Sequence, residues 1–168
     1  MPQPDAQHLL EQAALMVEHA EGESAPTHLR RAISNVYYAL FHGVVQAATD
    51  DFLGKRQRPS SRYVLLYRSV EHRHLRRLCE DITKSTLPER LRKFFPNDKV
   101  HRELATFAQA FVYQQDRRMF ADYDPSFEPI ASDIAVEMQR AHAALRSLHR
   151  IGPAERRAFF TLVVLRPQ

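Results

Sequence analysis

The chain has 168 residues, 44% hydrophobic and 26% charged, the balance of a globular domain and not of a disordered tail. A single cysteine, Cys79, excludes an internal disulfide and a cysteine-based zinc site, and four isolated glycines exclude phosphate-cradling loops of the Walker or G-x-G-x-x-G kind. The net charge of +4 hides an asymmetry, because residues 55–102 hold fourteen Lys/Arg against five Asp/Glu; this predicts a directed positive field and an anionic partner, unless those charges only solvate a helix face.

Pro4-Asp5 offers a helix start, and Leu9, Ala13, Met16, Val17 and Ala20 repeat at helical spacing until Glu21-Gly22. A short turn follows, with Thr27 as the expected N-cap of an antiparallel second helix. That second helix, HLRRAISNVYYALFHGVVQAATD from His28 to Asp50, is the element around which the rest should pack. Leu29, Ile33, Val36, Tyr37, Leu40 and Val44 form its core stripe. Arg31, Asn35, Tyr38 and His42 fall on the other side, either tying neighbouring helices together or forming one wall of a polar pocket.

FLGKRQRPSSRY, from Phe52, reads as a mobile loop. Tyr63, Leu66, Tyr67, Val70, His74, Leu78 and Ile82 resume a helical stripe, with Arg68, Arg73, Arg76 and Arg77 outside it. Tyrosines among arginines suit packing, and they also suit stacking on bases beside phosphate contacts. Residues 84–99 carry Pro88 and Pro96 and read as an irregular connection with at most one helical turn. A long helix through Val100, Leu104, Phe107, Phe111 and Met119 then delivers Arg117 and Arg118; Asp124-Pro125 should stop it, and Ser126 should cap the next helix. Ile130, Ile134, Met138, Ala141, Leu145 and Leu148 form the last bundle stripe.

The tail AERRAFFTLVVLRPQ begins as a helix and ends in an apolar run that must fold back on the bundle or meet a second subunit, so a homodimer is expected. The expected architecture is all-α: one domain over residues 1–168, a four-helix up-and-down bundle with additional short helices, core about residues 5–149 and a C-terminal extension over 150–168. No apolar run reaches the roughly 20 residues of a membrane span. MPQPDAQ carries no positive leader region, so a cytoplasmic location is expected.

Nine histidines invite a metal, but His72 and His74 point about 160° apart on a helix, and His142 and His149 lie two turns apart with no carboxylate between them. No metal and no cofactor is expected. No Ser-His-Asp or Cys-His arrangement follows from local spacing.

Two motifs carry a resemblance. VYYALFH after an arginine pair, followed later by RRMFADYDP from Arg117 to Pro125, resembles the HEPN family (higher eukaryotes and prokaryotes nucleotide-binding), in the branch with an Arg…Ala-Asp-Tyr segment between the last two long helices. The resemblance covers about Asp5 to His149. It implies a small helical bundle that acts on RNA or a nucleotide in a prokaryotic toxin–antitoxin or defence setting, either as a metal-independent endoribonuclease or as a non-catalytic binding module, such as the helical partner of a nucleotidyltransferase or an antitoxin. A purely structural interaction protein is the third class.

Many members resemble RNases with an Arg-x4–6-His motif, and here the chain departs from the pattern: five residues after Arg118 stands Tyr123, and five after Arg117 stands Asp122. Arg68 and His74 meet the spacing formally but in the wrong helix, a coincidence. The expected site is therefore Arg118 as cation, His42 as acid/base, and Asp122 and Tyr123 beside them. Arg31, Asn35, Tyr38 and Arg117 would support it, and Arg73, Arg76 and Arg77 would add phosphate contacts.

Overall fold

The Asp5 carboxylate accepts hydrogen bonds from the backbone of Gln7 (2.8 Å) and His8 (3.2 Å), satisfying free amides at the start of α1 (Ala6–Glu18) as the sequence predicts. This is a computed structural model describing residues 4–96 and 99–165, so the readings that touch Met1–Gln3 and the last three residues of the tail lie outside it. Among the described residues there are eight α-helices and no strand.

α2 (Ala25–Leu53) begins earlier than expected: Ser24 is its N-cap, Pro26 sits in the first turn, where a missing N–H costs nothing, and Thr27 lies inside the helix. Its predicted stripe from Leu29 to Val44 is buried throughout, and Ala32, Ala39, Phe41, Val45 and Ala48 are buried too, so neighbours cover it on more than one side. Gly54, at φ 82°, closes the helix in the half of backbone space that side chains avoid.

The stretch expected to be a mobile loop is instead a folded clip. Arg58 reaches back to both Asp50 oxygens (2.9 and 2.5 Å), the Tyr63 hydroxyl donates to Asp50 Oδ1 (2.8 Å), and Ser60 caps α3 (Ser61–Ser69). Here the Gly-Pro-Ser composition misled, because a carboxylate in the last turn of the organising helix supplied the partners that a free loop lacks.

The predicted continuous helix from Tyr63 to Ile82 is two helices. Val70 and Glu71 are extended (ψ 118° and 137°), and α4 (His72–Ile82) starts afresh with His72 as its first residue. No proline or glycine marks the break; burial of Val70 and of Leu75 fixes the new direction. The irregular connection contains one turn, α5 (Glu89–Arg92), pinned where buried Asp81 binds Lys84 (2.7 Å) and Arg90.

α6 (Arg102–Tyr123) stops before Asp124-Pro125 as predicted. Ser126 does not cap α7 (Ala131–Leu148): its own amide and hydroxyl are turned onto Asp124 Oδ1, and Ile130 stands at the N-cap position. Directions follow from the contacts. Asn35 meets Met16 while Gly43 lies against Ala6, so α1 opposes α2. Arg30 and Ser34 meet the end of α6, so α6 opposes α2, and Glu137 then Leu145 follow Ile33 then Gly43, so α7 runs with α2. These four form the up-and-down bundle.

The tail makes α8 (Pro153–Val164), and Phe159, Phe160, Leu162 and Val163 are buried in the same core, packed against α2 and α4. His74 Nε2 lies 2.7 Å from the Leu162 carbonyl and fixes the contact. The core thus runs past residue 149, and the tail finds its cover inside the chain, which removes the ground on which a second subunit was expected. Among the described residues, no helix is long and apolar enough to cross a membrane.

Candidate functional site

Arg118 is the residue around which the predicted site gathers. It stands one turn before the end of α6, 20% exposed, with its guanidinium carbon 5.8 Å from the Tyr37 ring, 5.6 Å from Tyr38 and 5.6 Å from Tyr123. One terminal nitrogen donates to the Tyr38 hydroxyl at 3.3 Å. Nε lies 2.6 Å from Asp122 Oδ2, an ion pair by distance in which the N–H is not aligned for a hydrogen bond. Burial opposes the charge, but Tyr38, Asp122 and Tyr123 hold the guanidinium above its ordinary pKa, so it is a permanent cation. The other Asp122 oxygen accepts from Ser34 at 2.6 Å, which locks the carboxylate to α2.

Predicted Arg118, Asp122, Tyr123 and Tyr38 therefore converge. Tyr123 is 67% exposed at the mouth. The rest of the predicted row disperses. Arg31 is exposed and has no hydrogen bond or ion pair among the described residues, and the Asn35 amide points at the Met16 sulfur, 3.7 Å away on α1. The true polar row on α2 is one residue earlier: Arg30, Ser34 and Tyr37, with Tyr38 at its edge. Arg30, unmarked by the sequence reading, donates to the carbonyls of Ala121 (2.9 Å), Asp124 (2.8 Å) and Phe127 (2.5 Å), and so holds the turn that carries Asp122 and Tyr123.

His42 is beside the site without belonging to its inner wall. Its ring stacks on Tyr38 at 6.0 Å, and its Nδ1 lies 2.7 Å from the Tyr67 hydroxyl. Burial, with His72 nearby, lowers its pKa to about 4, while burial raises Tyr67 to about 12, so at neutral pH the phenol donates to an uncharged imidazole. An imidazole that stays uncharged at neutral pH is a poor general acid for a leaving group. Tyr67 packs here, as Tyr63 does on Asp50.

An imidazole that sequence reasoning passed over feels the Arg118 charge. His72 lies on Phe41 at 3.7 Å between ring centroids, and its ring is 5.8 Å from Tyr37 and 6.2 Å from Tyr38, the same two tyrosines that Arg118 covers. Burial and the Arg118 charge both lower its pKa. Only the break at Val70-Glu71 puts it there, and that break has no sequence signal.

Arg117 is spent elsewhere. Nε donates to Glu137 Oε1 at 2.6 Å, the carboxylate is buried, and Gln114 donates to its other oxygen at 2.9 Å. Arg76 binds Asp116 (2.6 Å) and Glu80 (2.7 Å), so its charge is already answered. Arg73 and Arg77 are exposed on α4 with no ion pair among the described residues, and Arg77 faces a cleft of about 670 Å³ with His74, Lys84 and Arg90. Arg68 and His74 sit on different helices, one exposed and the other bonded to α8, so their spacing carries no site. Among the described residues, no group of three His, Cys, Asp or Glu side chains is placed to hold a metal.

No protein-family model, no curated protein and no solved structure matches this chain.

Proposed function

We propose that this protein binds single-stranded RNA or a nucleotide through the Arg118 site, as a HEPN-like domain of a prokaryotic toxin–antitoxin or defence system. The observation that carries the reading is a cation held among three tyrosines, one of them exposed. A phosphate oxygen suits the guanidinium, and a base suits the free face of Tyr123. An arginine needed only for packing is more simply satisfied as Arg117 is, by aligned hydrogen bonds to a buried carboxylate. Arg73 and Arg77 supply further phosphate contacts on α4.

Binding is the favoured form of this reading, and cleavage by His42 is the weaker one, because that imidazole is uncharged and engaged with Tyr67. Assembly as a homodimer belongs to the same proposal: Met119 and Phe120 are exposed near the end of α6 and would be covered by a second copy, which leaves Tyr123 to the base. An antitoxin or nucleotidyltransferase partner would use the Met119 and Phe120 surface in place of the second copy.

The test is to incubate the protein with total RNA in EDTA, and to measure binding of a fluorescent oligouridylate by anisotropy, for wild type and Arg118→Ala. Binding should weaken about tenfold or more between 50 and 200 mM salt, and again in the variant. Affinity that is flat with salt, or unchanged in Arg118→Ala, would overturn the reading; RNA cleaved by wild type and not by the variant would restore the nuclease.

A further inference from the structure

We propose that His72 is the second ligand of the Arg118 site, so that an oxygen of the RNA or nucleotide phosphate is held between the guanidinium and the Nε2–H of this imidazole. The inference rests on reading Arg118 as a phosphate site, and it adds a residue from a different helix. Its ground is geometric: Arg118 on α6 and His72 on α4 both border the Tyr37–Tyr38 pair of α2, at 5.8 and 5.6 Å for the cation and 5.8 and 6.2 Å for the imidazole. Of this tyrosine pair His42 meets only Tyr38.

The hydrogen-bond network also fixes which ring nitrogen is left free. The Tyr37 hydroxyl is 2.6 Å from His72 Nδ1, and it meets no other acceptor among the described residues. Tyr37 is fully buried and burial drives its pKa far up, so the phenol keeps its proton and donates it to Nδ1. The ring proton is then on Nε2, which has no partner among the described residues, in a side chain that stays exposed. A histidine serving only the core would be enclosed; this one is fixed by Phe41 on its face and Tyr37 at one nitrogen, and leaves the other as a free donor. Such a donor, with a fixed guanidinium against the same two rings, is complementary to a phosphate oxygen.

The experiment follows the His72 nitrogens of the full chain by long-range 1H–15N spectroscopy, titrated separately with oligouridylate and with uridine monophosphate. The free protein should show the Nε2–H tautomer, and the Nε2 signal should shift saturably, with the dissociation constant that anisotropy gives. Saturation by the monophosphate marks a nucleotide site and saturation by the oligomer alone marks RNA; both support the proposal. His72→Ala should weaken binding about tenfold, the worth of one hydrogen bond to a charged group, and His72→Gln, whose amide can replace the Nε2 donor, should restore most of it. If Arg118→Ala abolishes binding while His72→Ala does not change it, His72 is no ligand and the Arg118 reading stands. Loss in both His72 variants with a wild-type Nε2 signal that ignores ligand would make the residue structural and overturn the inference. Where His72→Ala does not fold, the wild-type shift decides alone. Indifference of binding to Arg118→Ala would remove both.

Discussion

Arg117 and Arg118 are consecutive on α6, yet the 100° that separates them around the helix gives them different surroundings. Arg117 turns toward α7, where Glu137 is 2% exposed and takes hydrogen bonds from Arg117 and Gln114. Its guanidinium also covers Phe127 at 4.8 Å. Arg118 turns toward α2 and meets rings, a misaligned carboxylate and solvent. Hydrogen bonds that are complete hold helices together, and donors left over are what a ligand can use.

The largest effect should come from breaking the first environment. Glu137→Ala leaves a guanidinium and an amide without their buried partner, a cost of about 3–5 kcal/mol. At about 2–4 °C per kcal/mol for a chain of this size, thermal unfolding followed by circular dichroism should show a Tm lowered by roughly 10 °C. Glu137→Gln, which keeps an acceptor, should lose less.

Exchanging the two arginines for alanine sharpens the contrast. Arg117→Ala should lower Tm by several degrees and leave the affinity of the folded fraction for oligouridylate unchanged. Arg118→Ala should do the opposite, weakening affinity about tenfold or more and reducing the salt slope by about one contact. Equal effects of both on Tm and on affinity would erase the distinction.

Tyr123→Ala tests the exposed wall alone. Loss of one stacked base is worth about 1–3 kcal/mol, so affinity should fall by about fivefold or more with little change in Tm. The exposed ring stabilises no core.

The smallest effect is expected from acid. His42 is held near pKa 4 in the folded chain against 6.5 in a free imidazole, so the unfolded chain binds more protons between those values. Its stabilising contribution is complete above pH 6.5 and is lost as pH falls through about 4; His72, also lowered, acts in the same direction. Tm should therefore decline on going from pH 7 to pH 5, and His42→Phe should flatten that decline without moving the Arg118 binding constant.

The amino-acid sequence by itself determined the helices and their cores, because a period of 3.6 is local information. Leu29 through Val44 are buried as their spacing says, Asp5 caps α1, Asp124-Pro125 ends α6, and Arg118 with Asp122 one turn later could meet on any helix. What only the tertiary structure decided is which polar side chains share a space. Arg30, and not Arg31, reaches the α6–α7 turn, since a one-residue difference in position is a 100° rotation that only packing can set. His72 reached Tyr37 through a break at Val70-Glu71 that no glycine or proline announces. His42, fitted by pattern to the site, was taken by Tyr67 from a helix whose placement depends on the Asp50 clip. Side chains brought together from three helices depend on how those helices cross, and that angle is settled by the summed burial of the core, not by the residues of the site.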